Sequence, residues 1–288
     1  MHGILNIRKP TGMTSRDVVN SVQRMVRPRK TGHAGTLDPL ADGVLLTCVG
    51  AATRLVPYLQ QMQKCYRAGF RLGCTSNTDD IEGEINELPD AVAPTLDELQ
   101  RVTEAMVGTI EQRPPAFSAL KLNGRRAYKL AREGKKVELQ PRPVVIHSLE
   151  IIRYAYPSLE LDITCGSGTY VRAIGRDVAA SVANGAVMTS LTRTAIGHFR
   201  AEDGLELENL DPASLDQNLL PMVLAVADLN QVELIGSEIE HLRHGMPIEN
   251  RWPVHDDEFA GISGDGRLVA ILTGSGDDQI RPLRNFPD

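Results

Sequence analysis

Apolar and polar positions change period several times along this chain, and the changes mark out its elements. Gly3–Ile7 reads as a short strand ended by the turn Lys9-Pro10-Thr11-Gly12. Val18, Val19, Val22, Met25 and Val26 then recur at helical spacing, and Thr14 and Asp17 stand as a capping box. A helix is therefore expected over Ser15–Val26, stopping before Pro28. The apolar run Val44–Val49 reads as a buried strand, and Ala51–Gln60 as a helix bent or shortened by Pro57. Lys64–Leu72 alternates, with Tyr66, Ala68, Phe70 and Leu72 on one face and Arg67 and Arg71 on the other, which predicts a half-exposed strand. The acidic Gly73–Gly83 segment reads as a loop. Thr95 and Glu98 open another capped helix carrying Leu99, Val102, Ala105 and Met106.

Beyond Arg113 the pattern is irregular, with Pro114-Pro115 and a short helical stretch after Gly124. Alternating strands are expected near Val144–Ile152 and Leu159–Cys165. The turn Gly166-Ser167-Gly168 leads to a helix over Tyr170–Val182 and then to a strand over Ser190–Phe199. Strands and helices mix without a regular βαβ rhythm, so the predicted class is α+β. Ala201–Leu229 reads as an acidic region of short helices. From Val232 onward, short apolar runs between glycine turns predict a small β module. The expected division is a main domain over 1–229 and a small one over 230–288.

Composition narrows the picture. The 288 residues are 42% hydrophobic and 24% charged, as in soluble globular proteins. No apolar run approaches the roughly 18–20 residues of a membrane helix, and the N-terminus lacks the features of a secretion signal. Four cysteines without Cys-x-x-Cys pairing fit a reducing cytoplasm and no zinc ribbon. The net charge of −6 argues weakly against a nucleic-acid partner, but its distribution does not. Basic residues cluster at Arg24–Lys30 and again from Arg113 to Arg142, while acids concentrate at Asp79–Asp90 and after Ala201. Phosphate contacts act within about a Debye length, roughly 8–10 Å, so a local basic face suffices. Solvated helix faces are the usual alternative for such runs.

Candidate chemistry centres on Thr31–Leu46, TGHAGTLDPLADGVLL. Asp38 lies between Leu37 and Pro39 on a turn-rich stretch entering a buried strand, a setting for a carboxylate on a fixed loop. A turn Asp bonding its own backbone is the commoner outcome for Asp-Pro. The chain has no Walker loop, no complete dinucleotide fingerprint and no nucleophile elbow. A lone carboxylate can attack an anomeric carbon without metal or cofactor, and an Arg is its fitting counter-charge. Arg172, after Gly166-Ser167-Gly168-Thr169-Tyr170, is a candidate, although spacing alone favours a structural or surface role.

The stretch GHAGTLDPLADGVL resembles the catalytic motif of the TruB-type tRNA pseudouridine-55 synthases. RKPTGMTS is similar to the family's KPxGxTS element, KCYRAGFRLG to its K-x-Y strand and TSNTDDIEG to its Thr/Asp/Gly loop. PPAFSALKLNGRRAYKLAREG resembles its RNA-gripping insertion, here about 113–140. GSGTYVRAIGRD and LTRTAIGHF resemble its arginine motif and the strand that follows. These blocks stand in family order across Gly3–Phe199. The resemblance implies a pseudouridine-synthase-like fold, a mixed and mainly antiparallel sheet flanked by helices. The C-terminal HGMPI and DGRLVAIL resemble a PUA-type RNA-binding module.

The implied activity is cofactor-free and metal-free isomerisation of a T-loop uridine of tRNA to pseudouridine. Asp38 would be the nucleophile, paired with Arg172. Tyr66 would stack on the extruded base and relay a proton, Tyr170 would pack near that base and Leu191 would form an apolar wall. His33 would hold the T-loop open, and Lys9 is counted with the substrate-binding residues. The implied partner is the tRNA T stem-loop, with no membrane and no obligate protein partner, and a monomer is expected. Two positions depart from the family pattern. Thr192 stands where relatives often have a second basic residue, and Phe117 where they often have Tyr; both bear on RNA grip. A tRNA-binding or folding module with secondary catalysis is the alternative from another class. A retaining hydrolase ranks last, since it needs a second carboxyl about 5–5.5 Å from the first and Asp42 is only its neighbour in sequence.

Overall fold

Capping and alternation set most of the local structure. In the computed structural model the chain is described throughout except at residues 119, 123–124, 128–129, 131–132, 134–138, 253–256, 276–277 and 288. Strand β1 spans Gly3–Lys9 and helix α1 Ser15–Val26, begun by the Thr14–Asp17 capping box. Strands β2 (Thr31–His33) and β3 (Asp42–Val49) follow. The expected single helix after β3 is instead a 3-10 turn, Gly50–Leu55, running into α2, Val56–Gln61. Pro57 lies in the first turn of α2, where a missing N–H costs nothing, so it starts this helix rather than bending it.

Strand β4 is Lys64–Leu72, and the acidic loop after it contains β5, Cys74–Ser76, which pairs with β6, Ile85–Glu87. The second capping box, Thr95–Glu98, opens α3, Leu96–Ala105. Strands β7 (Gly108–Gln112), β8 (Lys121–Leu122), β9 (Arg125–Arg126), β10 (Arg142–Ala155) and β11 (Ser158–Cys165) come next. Helix α4 covers Val171–Ser181 and β12 Ala186–Ile196. The strand expected to run on to Phe199 breaks at Gly197, whose φ of +52° turns the chain back into β13, Phe199–Arg200. Strand β14 is Leu205–Glu206. The C-terminal part carries β15 (Gln231–Leu234), α5 (Gly236–Arg243), β16 (Ile248–Glu249), β17 (Phe259–Ser263), β18 (Leu268–Gly274) and β19 (Gln279–Asn285).

The large sheet runs β14-β1-β3-β12-β4-β11-β10-β7, with β2 added beside β3 and β13 beside β12. Only the β1–β14 and β3–β12 pairings are parallel, so the α+β, mainly antiparallel reading holds. Helix α1 lays Val18, Val22 and Val26 on Leu5, Ile7, Leu45 and Val49. Helices α3 and α4 cover the other half of the sheet, packing Leu99, Ile174 and Val178 against Phe70, Leu161 and Ile163. The C-terminal strands form a five-stranded sheet, β15-β17-β18-β19-β16, as expected for a small β module. A cluster joins it to the main part, with Ala260, Leu268, Ile271 and Phe286 packed among Leu55, Leu59, Met222 and Val226.

Central placement matters most for β4 and β12, which pair antiparallel from Ala186↔Leu72 to Ile196↔Lys64. One face of this pair carries Ala68, Phe70 and Leu191 into the core beneath the loop that bears Asp38. The opposite face is polar, with Arg67 bonded to Asp162 at 2.7 and 2.8 Å.

Candidate active site

The N-terminal element and the Asp38 loop are built as one unit. Ser15 Oγ donates to the Leu37 carbonyl at 3.0 Å and accepts from the Leu37 amide at 2.8 Å. The Gly12 amide donates to the Pro39 carbonyl at 2.8 Å. Leu37 and Ala41 are buried in the core, so Asp38 is held between two anchored neighbours while its own side chain stays 36% exposed. This explains the spacing of RKPTGMTS: its turn and helix start clamp the loop from both sides.

Lys9 completes that clamp and is not brought to any surface. It has no solvent exposure, and its ammonium donates to the carbonyls of Met13 at 2.6 Å, Pro10 at 2.9 Å and Pro39 at 3.5 Å. The expectation that Lys9 binds substrate is corrected accordingly: a fully covered ammonium surrounded by carbonyls ties the turn together and has nothing to offer a ligand. Burial pushes its pKa down, while Asp42 and Asp38 push it up.

A cleft of about 1580 Å³ opens over this loop. His33, Asp38, Tyr66, Tyr170, Arg172 and Leu191 all line it, so six of the seven residues singled out in the sequence converge there. Tyr66 comes from β4, Leu191 from β12, Tyr170 from the N-cap of α4 and Arg172 from its first turn. Gln112 fixes the α4 start, accepting from the Tyr170 amide at 2.8 Å and donating to its carbonyl at 3.1 Å. The Arg142 guanidinium lies 5.2 Å from the centre of the Tyr170 ring and donates to the Gly168 carbonyl. Asp42 begins β3 and is not among the lining residues.

Arg172 lies between two carboxylates. Its Nε is 3.2 Å from Asp38 Oδ2 and its Nη1 is 3.0 Å from Asp80 Oδ2. Nη1 also donates to the Thr78 carbonyl at 2.8 Å, and Nη2 to the Phe117 carbonyl at 3.1 Å. The guanidinium is therefore almost saturated and its orientation over-determined, which suits a buried Arg whose side chain is 9% exposed. Asp80 is 2% exposed and also accepts from Thr78 Oγ1 at 2.6 Å and the Glu82 amide at 3.1 Å. It is thus an acceptor locked on Arg172, with no surface free to act as a second acid/base group.

A second pair stiffens the same loop. Arg176, one turn along α4, holds Asp79 at 2.8 Å, and Asp79 has a left-handed backbone with φ of +62°. Burial raises the Asp79 carboxyl, and Arg176 and Arg172 oppose that rise.

Burial is also the first cause holding Tyr66 above the ordinary phenol value. Arg193 acts against it, and Cys165 and Asp38 add to it. His33 is shifted the other way. Burial lowers it, a backbone contact at Gly35 opposes, and Arg16 and Arg193 lower it further, so the ring is neutral near pH 7.

Three residues of the site were not identified from sequence. Asp80 stood in the TSNTDDIEG loop, Lys64 in the K-x-Y strand and Arg193 in LTRTAIGHF, and none of them was given a role of its own. All three line the cleft, and all are 6% exposed or less. The signals were the blocks in which they stand and the alternation of the strands: Lys64 shares a face with Tyr66, and Arg193 shares one with Leu191. Phe117 was read as part of the RNA grip, and its carbonyl instead touches the Arg that pairs with Asp38. Of the basic residues expected to grip RNA, Lys129, Arg132, Lys135 and Lys136 lie outside the described residues.

Residues 23–171 match the model of the TruB family pseudouridylate synthase N-terminal domain. The chain is 42% identical to a tRNA pseudouridine synthase B of Cereibacter sphaeroides, over 99% of this chain and 96% of the relative. It is 40% identical to one from Rhodopirellula baltica, over 99% and 94%, and 38% identical to one from Clostridium perfringens, over 90% and 89%. Among solved structures, a chain of an H/ACA RNP bound to a substrate RNA containing 2′-deoxyuridine superposes with a TM-score of 0.75. The match is 21% identical and covers 99% of this chain and 85% of that one. A chain of a Cbf5-Nop10-Gar1 complex gives 0.74 at 23% identity, covering 99% and 84%. At such identities the likeness concerns the fold.

Proposed function

The chain belongs to the TruB family and is a pseudouridine synthase acting on tRNA, and on that premise we propose that its target is a T-loop uridine, position 55, with Asp38 as the nucleophile. The observation that carries this reading is the Asp38 carboxylate, which lines the cleft, stays partly exposed and pairs with Arg172 at 3.2 Å. The guanidinium fixes the direction of that carboxylate at the cleft, and a carboxylate can act as a covalent nucleophile without a metal or cofactor.

The reaction breaks the N1–C1′ bond, turns the base and joins C5 to C1′. Asp38 serves either by bonding to C1′ or by taking the 2′ hydrogen to give a glycal. The target nucleotide must leave its stack, at a cost of a few kcal/mol, and the cleft offers it an aromatic face at Tyr66 and an apolar wall at Leu191. Tyr170, backed by the Arg142 guanidinium, supplies a second flat surface. His33, neutral and lining the cleft, is suited to fill the place that the base vacates. The basic stretch from Arg113 to Arg142 supplies charge for the phosphates, and the C-terminal β module a further RNA surface.

The alternative of a binding module with secondary catalysis separates from this reading in one comparison. Wild type and Asp38→Asn are incubated with an unmodified tRNA transcript, and pseudouridine at position 55 and tRNA affinity are both measured. Expected is loss of product with affinity kept within about threefold, since Asn is isosteric and the phosphate contacts that dominate affinity are untouched. Product at the wild-type rate from the variant refutes the nucleophile assignment, and product at another position refutes the target.

A further inference from the structure

Arg193 is the largest fully buried side chain among the described residues, 2% exposed, and no carboxylate pairs with it there. Its Nε donates to the Val44 carbonyl at 2.7 Å, and its terminal nitrogens reach the carbonyls of Gly35 at 3.3 Å and Thr36 at 3.5 Å. An ion removed from water without a counter-ion costs several kcal/mol, which carbonyl dipoles offset only in part. The surroundings add to the cost, because Arg193 acts electrostatically on Lys9, Lys64 and His33 as well. A cation so placed favours a neighbouring group that can take on negative charge.

The acceptor for that charge lies directly across the ladder. Arg193 and Tyr66 are opposite one another on β12 and β4, where side chains on one face are neighbours, both line the cleft, and the guanidinium acts electrostatically on the Tyr66 hydroxyl. The ionisable groups facing that hydroxyl are Arg193 from β12, Cys165 from β11 and Asp38 from its loop. Of these, Arg193 alone favours the phenolate, since a thiol and a carboxylate both oppose a second negative charge.

We infer that Arg193 is a positioning residue for the proton transfer that completes the isomerisation, holding the Tyr66 oxygen in the cleft and favouring it as the acceptor of the proton on C5. This rests on the reaction assigned above. Once C5 is bonded to C1′, it carries that bond and its hydrogen, and the ring has a C6=N1 double bond. The Tyr66 phenolate, its own proton lost to solvent, takes the C5 proton. The C–H electron pair becomes the C5=C6 bond, the C6=N1 pair returns to N1, and N1 takes a proton from solvent. Arg193 touches no atom of the base in this scheme. It acts through Tyr66 and, by its bonds to Gly35 and Thr36, keeps the Asp38 loop in register with β12.

The test is a double-mutant cycle read against pH. Arg193→Gln removes the charge, and Arg193→Lys keeps charge but loses the fork; each is made alone and with Tyr66→Phe. Single-turnover pseudouridine formation on a tRNA transcript is followed across pH, with melting temperature and tRNA affinity as controls. Expected for Arg193→Gln is a rate at least about tenfold lower, within the range of a general base. The rising limb of its pH profile should move to higher pH, because removing a cation disfavours the phenolate. Arg193→Lys should restore the position of that limb, even if it is the less stable protein. In the Tyr66→Phe background the loss should shrink to the part that comes from the loop bonds to Gly35, Thr36 and Val44, and it should be uniform across pH. Equal losses in both backgrounds, or a loss that is uniform across pH with Tyr66 in place, overturn the inference and leave Arg193 as a loop anchor. No product from the unsubstituted chain overturns the assigned reaction as well, so the two failures are distinguishable.

Discussion

Substituting Gly43 by Ala tests how the Asp38 loop is joined to the strand beneath it. Gly43 has φ of +96° and sits between Lys9 on β1 and Arg193 on β12. A Cβ added there would lie 2.2 Å from the Arg193 carbonyl oxygen and 2.9 Å from its carbonyl carbon and amide nitrogen. All three are backbone atoms in a paired strand and cannot swing aside. The left-handed backbone costs an alanine about 1–2 kcal/mol, and forcing the strands apart about 1–3 kcal/mol more. The sum is about 2–5 kcal/mol, which at roughly 2–4 °C per kcal/mol lowers the melting temperature on the order of 4–20 °C. Separation of β3 from β12 would also loosen the Arg193–Val44 bond and move Leu191 relative to Asp38, so single-turnover pseudouridine formation should fall. Gly266→Ala supplies the comparison: φ there is +80° and nothing lies within 4 Å of an added Cβ, so only the backbone cost applies. Thermal unfolding by circular dichroism, with activity assayed well below the transition, reads both. A loss for Gly43→Ala no larger than that for Gly266→Ala would refute the steric argument.

Three further outcomes are expected. Asp80→Asn should lower stability by about 1–3 kcal/mol, less than the roughly 3–5 kcal/mol of a fully orphaned buried charge, because Arg172 keeps Asp38 and two carbonyls; denaturant unfolding measures it, and an unchanged midpoint refutes the clamp. At pH 8 a thiol reagent should label the native protein rapidly at Cys65 at most, since burial pushes Cys48 up to about 12 and Cys165 to about 11 and raises Cys74; a second fast thiol counts against that packing. Lys135→Glu with Lys136→Glu should weaken tRNA binding and flatten the slope of log affinity against log salt by about 0.7–0.9 for each phosphate left without its cation; an unchanged slope denies this segment a phosphate-gripping role.

Local rules in the sequence decided the parts of the fold that depend on neighbours. The Thr14–Asp17 and Thr95–Glu98 boxes started helices where expected, because capping is a contact across three residues. Alternation placed β4, β10 and β11, because a strand with one buried face writes period two into its residues. Asp38, Arg172, Tyr66, Tyr170, Leu191 and His33 were all legible through the motifs they stand in, and the cleft gathers them. Boundaries fared worse where a single backbone angle decided, as at Gly197, where the chain turns out of β12.

What only the tertiary structure decided is the state of the charges. Lys9 looked like a ligand for RNA and is a buried tie between carbonyls; Arg193 looked like one strand residue among many and is a buried cation facing Tyr66. Asp80, one acid in an acidic loop, completes the clamp on Arg172 from 92 residues away in the chain. Burial of a charge and the identity of its partner depend on contacts between segments far apart in sequence, and no local pattern encodes them. The sequence by itself determined which carboxylate stands on the loop. The fold determined which cations hold that carboxylate, that loop and the phenol beside it.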